Sequence, residues 1–198
     1  MINPDILQAL KSVTAVFEAL EIPYFIGGSV ASSLYGAARA TLDVDLVADI
    51  KMAQIQSLQQ RLARDHYVDA AMIRDALQRK SSFNLIHLPT MVKIDVFPLK
   101  TDPYDRETLQ RKRKDTLGEQ TEAGEFFFSS PEDIIIRKLE WYELGHRISD
   151  RQWSDILGVL KVQGANLDKQ YLVKWCGQLN LLPLLEQACQ NAGVTLSF

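Results

Sequence analysis

The chain has 198 residues, 46% of them hydrophobic, 24% charged and 9% aromatic, the balance of a globular protein and not of a disordered one. That length makes one domain, or a domain with a small appendage, and lets roughly 70% of the unfolded surface be buried. The net charge of −3 offers nucleic acid no global basic field, and no run of 18 apolar residues supplies a membrane-spanning helix.

Residues 1–10 carry Asn3, Pro4 and Asp5 where a signal peptide needs a basic start and an apolar run. Cys176 and Cys189 belong to no CxxC and read as free thiols, which points to a reducing cytoplasm. Apolar residues at 7, 10, 13, 16, 17 and 20 predict a helix over 6–20, with Asn3 and Pro4 as cap and first-turn residue. Tyr24, Phe25 and Ile26 form a short apolar run stopped by Gly27 and Gly28, a buried strand entering a tight turn. A short helix over 29–35 follows, closed by Gly36.

Residues 43–50 read as a second strand, 53–64 as a helix, and 83–88 and 92–99 as two further strands separated by Pro89 and Thr90. This order predicts an α/β (α+β) fold: a mixed sheet with flanking helices. The stretch 101–125 is polar, and Phe126, Phe127 and Phe128 form a short apolar run of unassigned structure. Ser130, Pro131, Glu132 and Asp133 have the form of a helix start. Helices are predicted over 131–144, 150–162, 168–179 and 183–192. The expected organisation is an α/β domain over 1–115 and a helical C-terminal domain over 116–198.

Asp43 and Asp45 lie two apart on a predicted strand, so both carboxylates leave the same face while Val44 and Leu46 face the other way. Two like charges so close repel, and a divalent cation relieves the conflict. Carboxylate-only ligands favour Mg²⁺ or Mn²⁺. Asp95 alternates with Ile94 and Val96 in the same way. If its strand neighbours 43–50, three carboxylates converge, and such a set can hold two metals roughly 4 Å apart for phosphoryl or nucleotidyl transfer. Gly27, Gly28 and Ser29 follow a strand and open a helix. The glycines allow close backbone approach to a ligand, and the helix start suits phosphate. Ser29 can cap the helix or donate to a phosphate oxygen. Neither GxGxxG nor GxxxxGK[ST] occurs.

Gly27-Gly28-Ser29, thirteen residues, Asp43-Val44-Asp45, and the later Asp95 resemble the DNA polymerase beta-type nucleotidyltransferase superfamily. The fuller wording, with Ala31, Gly36, Arg39, Thr41 and Leu46, is similar to small bacterial nucleotidyltransferases of the AbiEii toxin kind. The resemblance covers about residues 24–99. It implies a metal-dependent enzyme that moves a nucleoside monophosphate from an NTP to an acceptor hydroxyl. Asp43, Asp45 and Asp95 would hold Mg²⁺ or Mn²⁺, and Gly27, Gly28, Ser29, Arg39 and Thr41 would shape the nucleotide site.

Lys138 shares a helical face with Ile134 and Tyr142, so it must snorkel, pair with an acid or meet an anion. The resemblance makes it the match for a phosphate-binding lysine, with Arg137 as its rival. It also implies a later acid, Asp150 or Asp155, of which Asp155 beside Ile156 and Leu157 is the choice, orienting Lys138 or the acceptor. The basic run 106–114 reads as a solvated face or as a holder of polynucleotide or triphosphate. His66, His87 and His146 are scattered without metal-ligand spacing.

The acceptors that the resemblance implies are a tRNA end, in a toxin neutralised by a cognate partner, or a protein hydroxyl, as in an antitoxin. Antibiotic adenylylation is a further reading, and a catalytically inactive nucleotide- or partner-binding module is the non-enzymatic alternative.

Overall fold

Asn3 opens the first helix, α1 (Pro4–Ala19), by accepting the Asp5 N–H on its side-chain oxygen at 2.9 Å. The buried stripe of α1 is Ile6, Leu10, Val13 and Phe17, the period expected of a helix laid on a sheet. The structure, a computed structural model, describes residues 3–37, 41, 43–118 and 124–195.

The sheet has seven strands among the described residues. They are β1 (Tyr24–Ile26), β2 (Asp43–Ala48), β3 (His66–Tyr67), β4 (Phe83–His87), β5 (Val92–Pro98), β6 (Arg113–Leu117) and β7 (Gly124–Phe128). Their order is β3-β4-β5-β2-β1-β7-β6. The pairs β2/β5 and β1/β7 are parallel and the other pairs antiparallel, so the sheet is mixed, as the element order predicts. The other α-helices are α2 (Gly28–Tyr35), α3 (Ile55–Leu62), α4 (Ala70–Arg79), α5 (Pro103–Gln110), α6 (Pro131–Leu144), α7 (Asp150–Gln163), α8 (Lys169–Gln178) and α9 (Leu182–Ala192).

Contacts divide the chain into two units. One is Met1–Val30 with Ala40–Phe128, and the other is Ala31–Arg39 with Ser129–Phe198. The first contains all seven strands found among the described residues. Its core is the apolar half of each alternating strand: Val44, Leu46 and Ala48 on β2, and Ile94 and Val96 on β5. Phe126 and Phe128 are buried on β7, which places the apolar run of three phenylalanines inside the sheet.

Four elements go beyond the sequence reading. α4 buries Ile73 and Ala76 and is held at its start by Asp69, whose carboxylate accepts the Ala71 and Met72 N–H groups. β3 has two residues. α5 starts at a capping Asp102 followed by Pro103. The basic run ends in β6, an edge strand whose Arg113, Lys114, Asp115 and Thr116 are exposed. Charge on such an edge discourages pairing with another chain. Lys114 Nζ reaches Glu125 on β7 at 2.7 Å, and Lys112 lies over the Phe127 ring, 4.1 Å from its centre.

The second unit is helical. Ser130 caps α6, accepting the Asp133 N–H at 3.2 Å, and its hydroxyl donates to Asp133 Oδ2 at 2.6 Å. Asp133 is fully buried and also accepts the Tyr171 hydroxyl at 2.7 Å, while buried Glu132 accepts the Asp168 N–H at 2.9 Å. These first-turn acids are therefore internal struts between α6 and α8. Gly36 sits against α7, where a Cβ would stand 2.8 Å from the Val159 nitrogen. Only glycine allows that approach. Cys176 and Cys189 are free and buried, and burial pushes their thiols up to about 12 and about 11.

Among the described residues, no helix is long and apolar enough to cross a membrane.

Candidate active site

β2 and β5 run side by side in parallel, with Asp43 opposite Lys93 and Asp45 opposite Asp95. Val44 and Ile94 are fully buried on one face, so the alternation sends Asp43, Asp45, Lys93 and Asp95 to the other. Asp43 is exposed, whereas Asp45 and Asp95 are half-buried. The conditional expectation that the Asp95 strand neighbours β2 is met by the strand order. Asn84 on β4 is the next residue across, opposite Asp95.

The glycine turn meets this face through Asp45. The Gly27 N–H donates to the Asp45 carbonyl at 2.9 Å, which carries the β1/β2 ladder one step past β1. Gly28 then begins α2 with φ +54°, a left-handed conformation that glycine adopts without steric cost. A Cβ at Gly28 would overlap the Asp45 carboxylate, with Asp45 Cγ 2.6 Å away. The second glycine of the motif therefore has two physical reasons to be glycine. Ser29 follows it in the first turn of α2 and is half-buried.

Lys93 also stands on this face, opposite Asp43. Its Nζ lies 3.0 Å from Asp95 Oδ2. The hydrogen bond to Asp95 holds this ammonium above the usual lysine range, and the charges of Asp95, Asp43 and Asp45 add to it. The signal was present: Lys93 and Asp95 are two apart on one strand, the same spacing that singles out Asp43 and Asp45.

Thr41 is tied to the start of β2, since its hydroxyl accepts the Asp43 N–H at 3.3 Å and lies 3.2 Å from the Asp43 carbonyl. Arg39 lies outside the described residues. In the helical unit, Lys138 on α6 donates to Asp155 Oδ2 on α7 at 2.8 Å, and both side chains are nearly buried. Of the alternatives left open for that lysine, pairing with an acid is the one observed. Asp150 is exposed at the start of α7, and Arg137 pairs with Glu140 at 2.7 Å.

Two of the three histidines also meet. His66 and His87 are opposite one another on β3 and β4, with ring centres 5.1 Å apart. His66 Nδ1 lies 2.9 Å from Asp65 Oδ1, and Ser12 donates to Asp65 Oδ2 at 2.6 Å. Nothing in the spacing of residues 66 and 87 announces a pair that only strand register creates.

The donor chemistry of the β2–β5 face suits a hard divalent cation, because its acids are all oxygen ligands. The face also holds a cation already, the Lys93 ammonium on Asp95. Among the described residues, no group of three or more His, Cys, Asp or Glu side chains is gathered closely enough to hold a metal ion. The aspartates share a face without forming a closed ligand set.

No family model and no curated protein matches this chain. Solved structures do. The chain is similar to the antibiotic-resistance factor ANT(2'')-Ia over 91% of its own length and 96% of that chain, with a TM-score of 0.52 and 13% identity. A structure of ANT(2'')-Ia in complex with adenylyl-2''-tobramycin gives a TM-score of 0.50 at 13% identity, covering 81% of this chain and 90% of that one. An antigenic nucleotidyltransferase-like protein from Paracoccidioides brasiliensis gives 0.52 at 20% identity, covering 93% and 92%. At these identities the likeness is one of fold. The chain has the α/β fold of the nucleotidyltransferases, and the acid face and glycine turn lie within that fold.

Proposed function

We propose that the chain is a metal-dependent nucleotidyltransferase that moves a nucleoside monophosphate from an NTP to an acceptor hydroxyl and releases pyrophosphate. The observation that carries this reading is the placement of Asp45 between two partners: Asp95 across the parallel strand pair and Gly28 at the start of α2. A carboxylate pair beside a close-approach glycine turn is what a triphosphate needs, with acid for a cation and backbone for phosphate.

In this reading Asp43, Asp45 and Asp95 hold Mg²⁺ or Mn²⁺, which when bound supplies charge stabilisation to the attacking and leaving oxygens. Gly27, Gly28 and Ser29 hold the phosphates, with Thr41 and Arg39 shaping the nucleotide site. Asp95 accepts the proton of the acceptor hydroxyl. The acceptor oxygen then forms a bond to the α-phosphorus, the bond from that phosphorus to the bridging oxygen of the β-phosphate breaks, and pyrophosphate leaves. Lys138 neutralises phosphate charge and Asp155 orients it, a role supported by the motif resemblance. Most of the rate would come from positioning and electrostatics.

Three acceptor classes belong to this reading. The AbiEii-like wording of the motif supports a tRNA end or a protein hydroxyl, acting with a cognate toxin or antitoxin partner in the cytoplasm. The likeness to ANT(2'')-Ia supports a small-molecule hydroxyl such as that of an aminoglycoside.

The test is to incubate the protein with Mg²⁺ or Mn²⁺ and each labelled NTP, offering bulk RNA, a protein lysate and an aminoglycoside panel in separate arms. Metal-dependent label on one acceptor, abolished in Asp45→Asn, supports the enzyme. Metal-independent nucleotide binding with no label transferred would instead make the chain a binding module.

A further inference from the structure

Lys93 is the one cation placed in register on the strand pair that carries the acids, and the proposed function assigns it no part. It stands opposite Asp43, two residues before Asp95 on the same face, and its Nζ lies 3.0 Å from Asp95 Oδ2. The lysine side chain is about half exposed, and that of Asp95 is 18% exposed. An ammonium on a flexible stem is a point charge that can be displaced without repacking the core. The buried side of the same strands, at Val44, Ile94 and Val96, would not feel its departure.

We propose that Lys93 is a positioning residue of the acid face, a tethered counter-cation that holds the Asp95 carboxylate in the metal-free protein and competes with a divalent metal for it. This rests on the reading of the face as a metal site. When Lys93 is on Asp95, that carboxylate is compensated, and a metal drawing on the third acid would compete with the contact. The cost falls on metal affinity, which the ammonium lowers without abolishing.

Mn²⁺ binding to the whole chain without nucleotide, followed by electron paramagnetic resonance and calorimetry, reads this directly and does not depend on turnover. Lys93→Met is expected to tighten Mn²⁺ binding about fivefold, the scale set by removing one partly exposed charge from beside a divalent ion. Lys93→Arg keeps the charge and should bind as the parent does. Lys114→Met removes a lysine from β6, an edge strand three positions from β2, and should leave the affinity unchanged, which separates a local effect from net charge. Asp45→Asn in the Lys93→Met background should abolish the tightened site. Thermal melting of each variant confirms that it is folded.

Equal Mn²⁺ affinity in the parent and Lys93→Met, with binding lost in Asp45→Asn, overturns the role of Lys93 and leaves the metal reading standing. Binding unaffected by Asp45→Asn, or none in either the parent or Lys93→Met, overturns the metal reading and the Lys93 proposal with it.

Discussion

Gly28 and Asp45 are fitted to one another so closely that no side chain can come between them: a Cβ on Gly28 would lie 2.6 Å from Asp45 Cγ. The contact joins the start of α2 to the middle of β2, and so joins the phosphate side of the proposed site to its acid side. Gly28→Ala should suffer twice, from the left-handed backbone at φ +54° and from the overlap. The expected stability loss is about 2 kcal/mol, and nucleotide binding should weaken with it. Urea denaturation and nucleotide titration on the same preparation check both.

Asp45→Asn and Asp95→Asn keep the shape of each side chain and remove its charge. Each is expected to lower nucleotidyl transfer by about 10²-fold or more. Both residues are only half-buried, so folding should change little. Asp49→Asn, just beyond the end of β2 and paired with Lys51, is the matched control and should keep its activity. Initial rates at saturating NTP, with circular dichroism for the fold, decide the outcome.

Lys138 and Asp155 form a pair in which neither side chain is more than 11% exposed. Removing one partner leaves a buried charge without compensation. Asp155→Ala should therefore cost about 3–5 kcal/mol. Asp150→Ala, at an exposed first-turn position, should cost about 0.5 kcal/mol. The double variant Lys138→Met/Asp155→Leu should recover much of the loss, because the unmatched charge is gone. Chemical denaturation of the three variants gives the comparison.

His87 is expected to make the first unit sensitive to acid. Burial, with the neighbouring His66 adding to it, holds His87 below the usual histidine range, so the folded protein favours its neutral form. That contribution is complete above the unfolded value near 6.5 and is lost as pH falls from there through the depressed folded value. Burial pushes the Asp65 carboxyl up, but the Ser12 hydrogen bond and the two histidines outweigh it and hold it low. Its contribution is present above the ordinary carboxylate range and is lost as pH falls through the folded value. His87→Gln should flatten the decline below pH 6.5, and Ser12→Ala should shrink the loss at lower pH. Melting temperatures across pH 3–8 test both.

What the sequence revealed, and what it hid, follows from how locally each feature is encoded. The caps at Asn3 and Ser130, the alternation on β2 and β5, and the close glycine turn are written within a few residues, and all three are found in the structure. α4 was hidden because its ten residues bury little more than Ile73 and Ala76. β6 was hidden because an edge strand needs no apolar face and its charged residues read as solvated. The three phenylalanines had no visible partner until β7 paired with β1 and β6. In the site, Asp45 and Asp95 were legible from period-two spacing, and Lys93 follows from the same rule applied to a basic residue. The meeting of His66 with His87 depends on pairing between strands distant in sequence, which spacing does not encode.

The most direct measurement is a crystal structure of the chain with Mn²⁺ and a non-hydrolysable NTP, read by anomalous scattering. The expected result is a manganese peak between Asp45 and Asp95, with the triphosphate against Gly28 and Ser29. Manganese away from the β2–β5 face, or a triphosphate bound elsewhere, would contradict the proposed chemistry.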